Sequence, residues 1–441
     1  MVGAAVGISA VAMAMATAPP TTSPYGGRIG PTFNLLDFGA KGDNATLNTQ
    51  AFEKGVDAVS KAGGGTLYVP DGDFLTAPFN MTSHMTLYLS GGATVRGPTT
   101  AQLGPSPSFP LWPIIPPMKS YGQGRDHPGP RRTSLIHGED LTDVVVTSHP
   151  DHWGTIDGHG QPWWAAHKAK TETVTRGHLI EFMSSEHIEI SNLNLRNSPF
   201  WTVHPVYSRH VVVRNIDIKA PHDSPNTDGV DPESSQDVLI ENFTYEGGDD
   251  AIAIKSGWDC FGYRANLPCK NIHIRNVTSI WTRAAGCAIG SEMSGGMENI
   301  TLTDCDFTHT GNGLYVKYSK VRGGYVKDIH FKNVLMGNIT RAALSIDSGY
   351  GDNNPACGRV PKKMPVPVSN VTYTNITQAS GTVCDYMIDF KGLSDSSISD
   401  VRLDGVHLNY GKAVQNCEMV AGTYRDAPGA EACAALKPKV L

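Results

Sequence analysis

Charged residues make up only 18% of this 441-residue chain, yet three acidic clusters stand out in it. They are Asn226-Thr227-Asp228-Gly229-Val230-Asp231, Gly248-Asp249-Asp250 leading to Lys255, and Gly290-Ser291-Glu292. Carboxylates held side by side repel, so at least one keeps its proton above the usual carboxylic range. Crowded carboxyls with shifted pKa values mark acid/base sites. The chemistry they suit is glycoside hydrolysis: one protonated acid donates to the leaving oxygen while other carboxylates activate water. Asp249, Asp228 and Asp250 are the candidate catalytic residues. Calcium ligation or turn capping is the structural use that competes for the same cluster.

The clusters are placed by a repeat. HIEISNLNL (187–195), HVVVRNIDI (210–218), DVLIENFTY (237–245), NIHIRNVTS (271–279), NITLTDCDF (299–307), DIHFKNVLM (328–336) and NVTYTNITQ (370–378) align without gaps. Their starts are 23, 27, 34, 28, 29 and 42 residues apart, spacings that indicate a solenoid. Each unit has an apolar second position and Asn, or once Asp304, at the sixth. Repeated short strands without intervening helices stack as a right-handed parallel β-helix, an all-β fold. Coils lie ~5 Å apart, so Asp228, one coil before Asp249 and Asp250, should sit beside them on an exposed face. The Asn column (Asn192, Asn215, Asn242, Asn276, Asn333, Asn375) reads as a structural ladder, because Asn tolerates turn geometry and its amide can reach the next coil. Apolar spacing over 46–62 (Phe52, Val56, Val59) predicts one helix, stopped by Gly63-Gly64-Gly65 and capping the first coil.

Bulk properties narrow the rest. A net charge of −6 gives no nucleic-acid footprint, though a locally basic cleft could still bind an anionic polymer. Residues 1–25 read as a signal or unstructured leader, and 26–441 as one catalytic domain. No other stretch reaches the ~20 apolar residues of a membrane span. Eight cysteines without a C-x-x-C pair suit disulfides in an oxidising compartment, and sequence proximity favours 260–269 and 417–433. Sequons begin at Asn44, Asn80, Asn242, Asn276, Asn299, Asn338, Asn370 and Asn375. Some of these are structural Asn. A secreted, glycosylated monomer is expected.

Seven motifs carry a resemblance. They are FNLLDFGAKGD (33–43), GGGTLYVPDGDF (63–74), GTIDGHGQPWW (154–164), NSPFWTVHP (197–205), SPNTDGVDPESS (224–235), GGDDAIAIKSG (247–257) and GSEMSGG (290–296). With them the chain, over about residues 33–420, resembles glycoside hydrolase family 28, the polygalacturonases. The resemblance implies a pectin-lyase-like right-handed β-helix, a pectic polysaccharide substrate, inversion, and neither metal nor cofactor. It assigns Asp249 as general acid and Asp228 and Asp250 as the pair holding the water. Asp231 becomes a supporting acid, and Lys317 a binding partner for a uronate carboxylate. Lys255 reads as structural.

Two positions depart from the family. Ala284-Ala285-Gly286 stands where Gly-His-Gly is common, and Tyr315-Val316-Lys317 where Arg-Ile-Lys is frequent. A tyrosine hydroxyl cannot replace an arginine fork on a carboxylate. These departures are similar to a plant-type, exo-like branch. His204 and Trp201 could line the groove or pack the core, and Phe200-Trp201 could form a stacking wall for sugar. Two alternatives to the hydrolase stand: a pectate-type lyase, which needs a basic proton acceptor and calcium, and a weakened β-helix that only binds wall polysaccharide.

Overall fold

The structure is a computed structural model and describes residues 30–104, 109–351 and 366–439. Its repeat units are long strands, among them Glu186–Arg196, Arg209–Lys219, Gln236–Glu246, Met297–Thr308 and Val326–Gly337. All pair in parallel with the next unit, in register at the second position: Ile188 with Val211, Val211 with Val238, Val238 with Ile272. The apolar positions are buried along the whole axis. The stacked coils form a right-handed parallel β-helix.

The sixth-position column makes each strand bend. Asn192, Asn215, Asn242, Asn276, Asp304, Asn333 and Asn375 all have φ between 52° and 57°, which most side chains avoid and Asn and Asp tolerate. Their amides run coil to coil: Asn215 donates to Asn192 at 2.8 Å, Asn242 to Asn215 at 3.0 Å, and Asn276 to Asn242 at 2.7 Å. The ladder read from sequence is therefore present. A second ladder runs along the first repeat position, where Asn271 donates to Asp237 and Asn299 to Asn271, each at 2.8 Å. These residues also have positive φ. The sequence carried this signal, His, Asp or Asn in every unit, but the reading stopped at the sixth column.

A third face completes each coil and carries the site. Its inward residues form one apolar file: Ile180, Val203, Val230, Ile252, Cys287, Leu314, Leu344 and Ile388. The next residue on each strand points outward. That file includes Glu181, His204, Ala253, Ala288, Tyr315, Ser345 and Asp389. A period-two strand thus fixes which side chains face the groove.

Three expectations change. The helix runs Thr49–Lys61, not from residue 46, because Asp43–Leu47 pairs as a strand with Gly72–Leu75. Phe52, Val56 and Val59 do bury its inner face. Among the described residues three further helices, Thr100–Leu103, Gln161–Ala169 and Asp259–Ala265, interrupt the coils; all are too short for a periodic signal. Cys417 pairs with Cys433 as expected, but Cys269 is a free buried thiol, so the 260–269 bridge does not form. Cys260 is disulfide-bonded elsewhere. The leader read over 1–25 lies outside the described residues.

The ladder can be tested at Asn242, which both donates and accepts in it. Asn242→Ala places a Cβ-restricted residue at φ 52° and breaks both bonds, for a loss of about 2 kcal/mol. Asn242→Gly keeps the left-handed turn and should lose less. Denaturant midpoints should fall in the order wild type, Gly, Ala.

Candidate active site

The three aspartates come from two successive turns before the inward file. Backbone bonds lock their level: Thr202 N–H donates to Asp228 O at 2.9 Å, Gly229 N–H to Asp250 O at 3.0 Å, and Ala251 N–H to Ala285 O at 2.9 Å. Trp201, Asp228, Asp250 and Ala285 therefore stack on consecutive coils. Oxygens of Asp228, Asp249 and Asp250 all lie within 4.8 Å of one another. Gly248 allows the tight turn into Asp249, since a Cβ there would meet the Ser224 carbonyl at 1.9 Å.

The expected exposed face is mostly covered. Asp228 and Asp250 are buried, and Asp249 is half-buried, the most open of the three. Burial, then the charge of Asp250, pushes the Asp249 carboxyl up. Burial, then Asp249 and Asp231, pushes Asp228 well up. Asp231 is fully buried, and burial raises it to about 7. The group titrates as one unit, and it holds protons to higher pH than isolated carboxyls would.

Two lysines balance this charge. Lys317 is buried, with its ammonium 2.5 Å from Asp250. Lys255 lies 3.3 Å from Asp231 and 3.6 Å from both Asp228 and Glu292. Burial disfavours both ammonium groups, yet the surrounding carboxylates outweigh it and hold both charged well above the usual lysine range. Lys255 is thus the central cation of the cluster. Glu292, the third acidic motif, is pushed up by burial but held well below its usual range by Lys255, Arg125 and Arg322. Arg125 donates to it at 2.7 Å.

The structure moves other expected site residues away from the groove. His204 is fully buried between Glu181 at 2.8 Å and Glu233 at 3.7 Å, so it packs and cannot touch a ligand. Asp231 is equally inaccessible and reaches the site only through Lys255 and Asp228. Phe200 and Trp201 are buried beneath Met118 and Tyr121 rather than forming an open wall. Tyr315 is half-exposed and donates to Asp347 at 3.2 Å.

Tyr245 was missed. Its buried hydroxyl lies 2.9 Å from the carbonyls of both Thr227 and Asp249, and it accepts the Asp249 N–H at 3.2 Å. It therefore pins the two aspartate-bearing turns together. The signal was a hydroxyl in a repeat column that is otherwise mostly apolar. Arg125 was also missed, because nothing periodic links residue 125 to the aspartates.

A divalent cation could in principle use the three aspartates, but Lys317 and Lys255 already supply positive charge there. His178, Glu181 and His204 form a second candidate cluster, where Arg131 already pairs with Glu181 at 2.8 Å.

The profile of Glycosyl hydrolases family 28 matches residues 60–433. A "Probable polygalacturonase" of Vitis vinifera is 43% identical over 323 residues, covering 73% of this chain and 63% of the relative's own length. An "Endo-polygalacturonase" of Pectobacterium carotovorum subsp. carotovorum is 29% identical, covering 70% of this chain and 72% of its own. Among solved structures, a hyperthermoactive exopolygalacturonase from Thermotoga maritima superposes with a TM-score of 0.77 at 25% identity, covering 92% of each chain.

Two outcomes follow from the geometry. Tyr245→Phe removes the pin, and kcat should fall about tenfold or more with KM little changed, since small misplacement of reacting groups is costly. Asp231 has a folded pKa above its ordinary value, so its contribution to stability is present at low pH and is lost as pH rises from about 4 through 7. Asp231→Asn should therefore melt like wild type near pH 4 and roughly 2 °C or more above it at pH 7.

Proposed function

Because the chain belongs to Glycosyl hydrolases family 28, we propose that it hydrolyses a pectic polysaccharide from the chain end, with Asp249 as acid. The protein is a glycoside hydrolase. The substrate, the roles and the mode of action are the proposal. The observation that carries it is the aspartate cluster, crowded within 4.8 Å and paired with the buried lysines Lys255 and Lys317.

Asp249 is the most accessible carboxyl and its pKa is raised, so it suits the protonated donor to the leaving oxygen. Asp250, paired with Lys317, and Asp228 beside it would hold and orient the water. Two opposed carboxyls in inverting enzymes usually stand ~6.5–9.5 Å apart. The aspartate oxygens here lie within 4.8 Å, nearer the ~5–5.5 Å of retaining enzymes, so inversion would need the water held jointly by Asp228 and Asp250 beside the acid. The anomeric form of the first product, read by proton NMR, checks inversion; a retained anomer would reassign one aspartate as nucleophile.

The cluster supports the hydrolase over the lyase. A lyase needs a neutral base to take a carbon-bound proton, and both lysines at the site are pushed toward their charged forms. Oxidised Cys417–Cys433 supports an extracellular location, and a monomer remains the expected state. Among the described residues no helix is long and apolar enough to cross a membrane.

Chain-end action is supported by a strap. Residues 118–127 pack over the coils of Met183, Val206 and Glu233 and reach Trp258 and Glu292 at their far end. Met118 and Tyr121 pack on Met183, Phe200, Trp201 and Val206. Tyr121 donates to Glu233 at 2.7 Å, and Asp126 pairs with Arg176 at 3.0 Å. Glu181 and His204, which would otherwise face the groove, are left with no exposure. On the other side Tyr315, Asp347 and Asp389 are partly exposed and Lys391 is exposed. A groove blind at one end seats a terminal unit and cannot take the middle of a polymer.

Two measurements test this reading. On polygalacturonate and rhamnose-containing pectic polymers, product analysis should find short terminal products from the start, with viscosity falling slowly against reducing-end release. An early ladder of oligomers would overturn the chain-end reading. Asp249→Asn should lower kcat by at least about 10²-fold; a near-wild-type rate would remove Asp249 as the acid.

A further inference from the structure

We infer that the sugar on the polymer side of the scissile bond is recognised as an uncharged unit, a methyl-esterified uronate or a neutral sugar, by Tyr315 with Tyr350. This rests on the chain-end hydrolase reading above and names the substrate that site would take.

With the strap closing one end, the polymer must leave over the coils beyond Asp250. Tyr315 is the first partly exposed outward residue there, one coil past Ala288. Beneath its ring lie Ala253, Ala285 and Ala288, all fully buried. Three methyl groups leave room for the ring to lie against the sheet, and a larger side chain at Ala285 would lift it. Tyr350 meets it edge-on, with centroids 6.0 Å apart at 84°. The result is an aromatic surface, which suits the apolar face of a sugar ring.

The charges around this surface do not invite a carboxylate. Lys317 lies 5.3 Å from the Tyr315 ring centre and 5.1 Å from that of Tyr350, but its ammonium is engaged by Asp250. The tyrosine hydroxyl is turned to Asp347. Further along the same face stand Asp347 and Asp389, both partly exposed. Lys391, paired in register with Asp347, is exposed beyond them, and exposed Arg283 lies within electrostatic reach of Asp223 on the rim. Among the described residues a free uronate over Tyr315 would therefore lose water without gaining a dedicated cation, and would approach Asp347. An ester or neutral sugar meets neither penalty.

The test uses three trisaccharides that differ only in the unit next to the terminal galacturonate: free acid, methyl ester, or rhamnose. Initial rates with the full chain should give kcat/KM at least tenfold higher for the ester, the rhamnose unit or both than for the free acid. The two uncharged arms distinguish an esterified backbone from an alternating one. Tyr315→Arg should reverse the ratio by tenfold or more, mainly through KM, because it returns a guanidinium to the subsite. Tyr315→Phe keeps the ring and should keep the wild-type ratio, which guards against a misfolded arginine variant. A wild type that prefers the free acid, or a ratio that Tyr315→Arg leaves unchanged, overturns the inference while leaving hydrolysis intact. Cleavage of none of the three would instead sink the hydrolase reading, and this inference with it.

Discussion

Parallel coils repeat every ~4.8 Å, so a side chain on this face cannot avoid its neighbours above and below. The β-helix brings Asp228, Asp249 and Asp250 within 4.8 Å by the same backbone pairing that buries its apolar file. Their repulsion is a consequence of the fold, and much of the surrounding structure answers it. Lys255 follows Asp249 and Asp250 on the same coil and Lys317 enters from a later one, while Glu292 pairs with Lys255 and is itself paired with Arg125. Removing either lysine would leave several carboxyls buried without a counter-charge, which is far more costly than removing an exposed pair. Packing thus both raises the carboxyls of Asp228 and Asp249 and keeps the two lysines charged beside them.

Order in the cluster depends on bonds that carry no charge. Tyr245 joins Thr227 to Asp249, and the two polar ladders fix the bends that set the level of each coil. A register slip would separate the aspartates by a residue and turn alternate side chains inward. Apolar stacking fixes the direction perpendicular to the strands, and the ladders fix the direction along them. Catalytic geometry is therefore a property of the whole solenoid, and the strap only determines what can reach it.

Buried charge also extends where no chemistry is expected. Glu181 joins Arg131 and His204, and Glu233 joins Tyr121. This network sits under the strap and anchors it. Residues 118–127, a segment with no repeat of its own, cover this face from Met183 to Glu233 and reach Glu292 through Arg125.

The catalytic half of this protein was legible in its sequence because periodic order repeats locally. Seven aligned units gave the β-helix, the sixth-position ladder and the adjacency of Asp228 to Asp249 and Asp250, since each follows from strand period and coil spacing. What lacked a period was not legible. His204, Phe200 and Trp201 looked available for the groove, and only the approach of residues 118–127 from outside the repeat buries them. Cys260 and Cys269 are near in sequence, yet Cys260, in the helix Asp259–Ala265, is bonded elsewhere, and Cys269, at the start of a strand, stays a free buried thiol. The sequence by itself determined the fold and the adjacency of Asp228 to Asp249 and Asp250, because those depend on neighbours one coil away. Tertiary structure alone decided which carboxyls are buried, which lysine balances which acid, and which outward residues are covered, because those depend on segments that meet only after the coils have stacked.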